Sequence, residues 1–211
     1  MSLRARLALI LGTALVIVAA FVAGMLTSPS SAFPTNTSAE AGFARDMQTH
    51  HSQAVELSMI VRDRTFDPDI RLLAYDIALT QQQQVGQMYS WLTVWGLPQA
   101  AAEPSMTWMV RSGLSGAGHD QGDASTHPSG EPMPGLATPA QLEKLKASSE
   151  VQAEILYLQL MIAHHKGGVE MAQAVLDRSE NRVVVTLAKS MVIAQQAEID
   201  YMSELLAART G

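Results

Sequence analysis

Two pairs of adjacent histidines, His50-His51 and His164-His165, each stand three residues after a methionine, Met47 and Met161. In a helix, residues three and four apart share a face, so each methionine lies one turn below its own pair. Neighbouring histidines are about 100° apart around the axis, so both can flank one helix interface without pointing the same way. Imidazole binds copper, zinc, iron and nickel, and thioether favours soft Cu(I). Two such hairpins packed together, with Gln81, Gln84 and Met88 or Gln195, Glu198 and Met202 presented from their second helices, would gather two or four imidazoles with several thioethers and amides in one core. The plainer reading gives the histidines structural hydrogen bonds and leaves methionine as core filler.

Composition narrows the chemistry. The 211 residues include twelve Met and six His but no Cys, which removes disulfides, thiolate zinc sites, iron–sulfur clusters and cysteine nucleophiles. A net charge of −6 argues against nucleic acid as a partner. No nucleophile elbow, P-loop, dinucleotide fingerprint or His-Glu-x-x-His motif is present. The Glu and Glu-x-x-His set of a di-iron bundle is also missing. An enzyme is therefore the less favoured reading, and zinc and iron rank behind copper.

The elements that must position these residues are helical. Thr37 with Glu40 predicts a capping box opening a first helix. Asp67-Pro68 predicts the N-cap and first residue of a second, and Gly96 followed by Pro98 its end. Residues 96–139 hold six of the nine prolines and read as a linker. Thr138-Pro139-Ala140-Gln141 caps a short helix ending near Ala147, and two long helices follow, from about Ser149 to Arg178 and from about Arg182 to Ala208.

Shifted by 114 residues, the two halves align without a gap. Met47 meets Met161, His50-His51 meets His164-His165, Gln81-Gln82 meets Gln195-Gln196, Gln84 meets Glu198, and Met88 meets Met202. The expected fold is all-α: a four-helix bundle of two repeated hairpins, 39–95 and 149–208, joined by a linker over 96–148. So long a linker lets the third long helix start at the far end, a ferritin-like crossover. Ala54 and Gly168, equivalent in the repeat, would let the two histidine helices approach closely. The predicted metal set is His50, His51, His164 and His165, with Met47, Met161, Met88, Met202 and Glu198. Because imidazole must be neutral to ligate, binding should weaken below about pH 6.

Two further stretches carry expectations. Arg4 and Arg6 precede an apolar run, Leu7 to Leu26, long enough to span a bilayer. Residues 1–27 then form a signal anchor, or a cleaved signal with a candidate cut site at Ser30-Ser31-Ala32, and 28–38 a tether. In either case the domain lies outside the cytoplasm, single-pass or secreted. The linker carries His119, Asp120, Asp123 and His127, a second metal-catching loop or simply a polar linker anchored by Trp108 and Met109.

The doubled pattern Phe43-x-x-x-Met47-x-x-His50-His51-x-x-Ala54-Val55 and Tyr157-x-x-x-Met161-x-x-His164-His165-x-x-Gly168-Val169 resembles a secreted bacterial family known as domain of unknown function 305. The stretch from Ala188 through Gln195, Glu198 and Met202 is similar to the family's second-helix signature, with Gln84 standing where the first half would carry Glu. The resemblance covers roughly residues 39–208. It implies a ferritin-like fold and, from members linked to periplasmic copper binding and tolerance, a copper buffer, chaperone or tolerance factor. The competing reading is a non-metal envelope interaction module with structural histidines, and a redox enzyme comes third.

Overall fold

The computed structural model describes residues 12–21, 33–114 and 130–211. Four long helices carry the domain: α1, Ala39–Arg62; α2, Pro68–Val94; α4, Glu150–Leu176; and α5, Arg182–Thr210. Between the pairs come a short 3-10 turn, Thr107–Val110, and the nine-residue α3, Pro139–Ala147. The described residues contain no strand.

Local chemistry sets the boundaries. Asp67 caps α2 by accepting from the N–H groups of Asp69 and Ile70, with Pro68 at the first position. Gly96 follows α2 at φ +68°, a backbone region that glycine enters without steric cost. Thr138 and Gln141 form the capping box of α3. The cap of α1 differs from expectation. Ser38, not Thr37, accepts from the Ala41 N–H, and Glu40 turns away to accept a hydrogen bond from Ser179.

Each hairpin packs on itself, α1 against α2 and α4 against α5, and the two hairpins meet through α1 and α4. The helix starts fix the path. The Glu150 N–H at the head of α4 donates to Arg64 O at the end of α1, while the tail of α4 returns to Glu40 through Ser179. So α4 runs antiparallel to α1, and the crossover returns the chain to the end opposite the exit of α2. Arg209, near the end of α5, pairs with Glu154 at 2.6 Å and with Asp67 at 2.8 Å, tying that end together.

Two hydrophobic clusters occupy the two ends. One gathers Phe43, Met47, Met88, Leu92, Met171 and Met191, with Met106, Trp108, Met109 and Met133 from the crossover. The other gathers Ala54, Leu57, Ile70, Ile77, Leu158, Met161 and Met202. The four histidines and their glutamine and glutamate partners lie between these clusters along every helix. Trp108 and Met109 are buried anchors of the crossover, as expected. Met59 is half exposed, so core filling does not describe every methionine.

In the N-terminal unit, residues 12–21 are described as an exposed helical stretch. Among the described residues, no helix is long and apolar enough to cross a membrane. The anchor expected over Leu7–Leu26 thus draws no support from the structure. Most of that run, like the cut site and the residues His119, Asp120, Asp123 and His127, lies outside the described residues.

Candidate metal centre

The four histidines are fully buried or nearly so. His50 and His164, equivalent in the repeat, lie against each other, tilted, with ring centroids 3.8 Å apart and planes 33° apart. A residue touching its own repeat mate marks the pseudo-two-fold axis, which passes between these two rings. The symmetry extends outward: His50 to His51 and His164 to His165 are both 6.2 Å between centroids.

Each ring is held by one nitrogen. His51 Nε2 donates to Gln84 Oε1 at 2.7 Å, and His165 Nε2 donates to Glu198 Oε2 at 2.7 Å, the same contact in both hairpins. His164 Nε2 donates to His50 O at 2.9 Å. His50 Nε2 does not return the contact; it donates to Pro134 O at 3.0 Å. Carbonyl oxygens only accept, so Nε2 carries the proton in His50 and His164. Burial pushes the His50 ring down to about 4 and the His51 ring down to about 3, and it holds His164 well below the usual 6.5. These rings are neutral, with one N–H each, so Nδ1 is left with a bare lone pair. All four Nδ1 atoms are buried without a hydrogen-bond partner.

That arrangement suits a metal-binding histidine, whose second nitrogen is commonly fixed by a carbonyl or carboxylate. It is not a finished coordination sphere. Among the described residues, no group of three or more His, Asp or Glu side chains is arranged to hold an ion. The lone pairs of two apposed rings lie in their own planes and do not point at one another, so one ion shared by His50 and His164 requires a ring to turn.

The crossover reaches this layer as a strap, which the histidine pattern by itself does not reveal. Pro134 lies over Gly167, where a Cβ would collide with its carbonyl, and Gly135, at φ +73°, is pressed against Ala163 and His164 of α4. On α1 the strap is clamped by Gln53, which donates to Ala137 O at 2.9 Å and accepts from Ala137 N at 2.7 Å. Gln53 and Gly167 are repeat equivalents, so one position grips the strap and its mate seats it. Gly168 has a different task from the one expected. Its missing Cβ is filled by the amide of Gln195 on α5, not by α1.

The remaining predicted residues separate. Met47 and Met88 belong to one hydrophobic cluster, Met161 and Met202 to the other, so the thioethers flank the histidine layer from opposite ends. Glu198 is engaged with His165. Asp46 is used by the crossover: it accepts from Met106 N at 2.8 Å and Trp108 Nε1 at 2.9 Å, and burial raises its carboxyl above the usual range. Gln81 and Gln195, repeat equivalents on the second helix of each hairpin, are buried with unpartnered amide atoms.

Comparison with known proteins places this geometry in a family. A protein from Streptomyces coelicolor, described as secreted and bearing the domain of unknown function DUF305, is 47% identical over 83% of this chain and 96% of its own, with a TM-score of 0.72. A DUF305 fragment from Deinococcus radiodurans is 32% identical over 81% and 96%, with a TM-score of 0.62. CopM in its Cu(I)-bound form is 20% identical over 84% and 99%, with a TM-score of 0.60, which shows a shared fold; CopM is also known in Ag-bound and Cu(II)-bound forms. No curated protein matches the chain. The family model of DUF305, domain of unknown function, matches residues 40–206, and with that span and a relative 47% identical the chain belongs to this family.

Proposed function

We propose that this protein binds copper outside the cytoplasm, as a buffer, chaperone or tolerance factor, through residues 39–208 as a ferritin-like four-helix unit. The observation that carries the reading is the set of four buried Nδ1 atoms without hydrogen-bond partners, each on a ring whose other nitrogen is anchored. A buried acceptor without a partner costs about 1–3 kcal/mol. A cation bound at these nitrogens relieves that cost and leaves the second-nitrogen hydrogen bonds intact. His50, His51, His164 and His165 are the ligands, and Met47, Met161, Met88 and Met202 supply thioethers from the two sides. Glu198 acts through His165, whose ring it orients. A monovalent ion suits this core, since neutral imidazole and thioether need no carboxylate to hold it. The fold shared with CopM, a protein known with Cu(I), Ag and Cu(II) bound, supports the choice of metal, and the secreted relative supports the location. The N-terminal apolar run would deliver the domain and then be either retained or removed.

The test is titration of the purified protein with Cu(I), Cu(II) and Zn(II), beside a variant with all four histidines changed to Ala. Stoichiometric copper binding that disappears in the variant is the expected result; binding that survives unchanged rejects the site. The second reading, structural histidines in an envelope interaction module, is favoured by the fact that every Nε2 already has a partner. It predicts no stoichiometric metal and a large loss of stability in the same variant.

A further inference from the structure

Among the described residues, seven buried side-chain nitrogen and oxygen atoms have no hydrogen-bond partner, and all seven belong to three repeat-related pairs: His50 with His164, His51 with His165, and Gln81 with Gln195. The histidines are absorbed by the copper reading. The glutamines are not. Gln81 is 3% exposed and Gln195 4% exposed, and both leave an amide oxygen unpartnered. An orphaned buried amide costs its desolvation, and fixing a glutamine side chain forfeits rotamer freedom. A leucine would fill similar room with no polar atom to orphan and a smaller loss of rotamer freedom.

Placement ties these amides to the histidine layer. Gln195 stands one turn before Glu198, the residue that holds His165. Its Oε1 lies in the space left by Gly168, which is three residues beyond His165 and four beyond His164 on the same face of α4. Gln81 stands in the same relation to Gln84, the residue that holds His51. Gln81 and Gln195 therefore stand one turn from the residues that hold His51 and His165, one in each hairpin.

The donor chemistry differs from that of the rest of the core. Thioethers select monovalent copper, whereas Cu(II) takes nitrogen and oxygen ligands in tetragonal geometry, and a glutamine oxygen can serve as a weak axial ligand. We propose that Gln81 and Gln195 are the oxygen donors of this site and that they extend its range from soft monovalent ions to Cu(II). The inference rests on the four histidines being ligands. The glutamines set which oxidation state is accepted, not whether metal binds.

The experiment uses the purified protein titrated with Ag(I), a monovalent ion without redox chemistry, and separately with Cu(II) followed by electron paramagnetic resonance. Gln81→Leu/Gln195→Leu should weaken Cu(II) by about tenfold or more and change its hyperfine splitting, while Ag(I) affinity stays within about threefold. Unchanged Cu(II) affinity and spectrum would overturn the proposal. So would equal weakening of both ions, which would make the glutamines general supports of the core. If the double variant does not fold, Gln81→Leu and Gln195→Leu are read singly, each against the same Cu(II)-to-Ag(I) contrast. The four-histidine variant separates the two levels. Binding that survives there sinks the copper site itself, whereas a Cu(II)-to-Ag(I) contrast that fails only in the glutamine variants sinks this inference alone.

Discussion

The two hairpins are copies of one plan, and the instructive places are those where the copies part. His51 and His165 make the same 2.7 Å contact to the second helix of their own hairpin, but one partner is neutral Gln84 and the other is the carboxylate Glu198. His164 bonds to His50 O, whereas His50 turns to Pro134. Position 53 grips the strap with an amide, and its equivalent, Gly167, yields space to it. The ends differ as well: Met171 and Met191 occupy one cluster where Leu57 and Ile77 stand in the other. Duplication built a symmetric frame, and one strap across the axis suffices to make its halves chemically unequal.

The largest expected effect concerns what the halves share, their buried neutral rings. His50, His51 and His164 have folded-state pKa values below the ordinary 6.5, with His50 at about 4 and His51 at about 3. Between pH 6.5 and about 4 the unfolded chain takes up protons that the folded chain refuses, so stability is complete above about 6.5 and falls as the pH drops through that window. Metal-free protein should lose on the order of several kcal/mol between pH 7 and pH 4.5, read by denaturant unfolding at each pH. A flat profile would show that the rings are not held neutral.

The strap contacts come next. Gly167→Ala drives a Cβ into the Pro134 carbonyl and should cost about 1–3 kcal/mol. At the equivalent position, Gln53→Ala removes two hydrogen bonds to Ala137 and should cost about 1–2 kcal/mol. Thermal melts of the two variants compare seat with grip; if Gly167→Ala is neutral, the strap does not bear on α4.

The unequal partners give a smaller and more specific effect. Glu198→Gln makes the second half resemble the first and should weaken metal binding by about tenfold, while Gln84→Glu should strengthen it by a similar factor. Isothermal titration of both variants decides this, and shifts in the same direction would refute the role given to the carboxylate. The smallest effect is expected from Met171→Leu/Met191→Ile, which makes one end resemble the other. Such volume-conserving changes should cost less than about 1.5 kcal/mol and leave copper stoichiometry unchanged. A lost equivalent of copper would move those thioethers from packing into the site.

Much of this molecule is written in short-range patterns. The caps at Asp67 and Thr138, the stop at Gly96 and the helical spacing around each Met-x-x-His-His depend on residues within one or two turns, so the sequence by itself determined the four long helices, the repeat and the place of each histidine pair beside a helix interface. The crossover followed from linker length. The functions of Gly167 and Gly168 did not, because a missing Cβ does not say which neighbour fills its space. Nor did the free nitrogen of each ring: the partner of His50 lies 84 residues away and that of His164 lies 114 away, in contacts that exist only after the hairpins and the strap have packed. Only the tertiary structure decided that Nε2 is anchored and Nδ1 left bare, since a histidine's chemistry is set by whichever acceptor the fold brings to one of its two nitrogens.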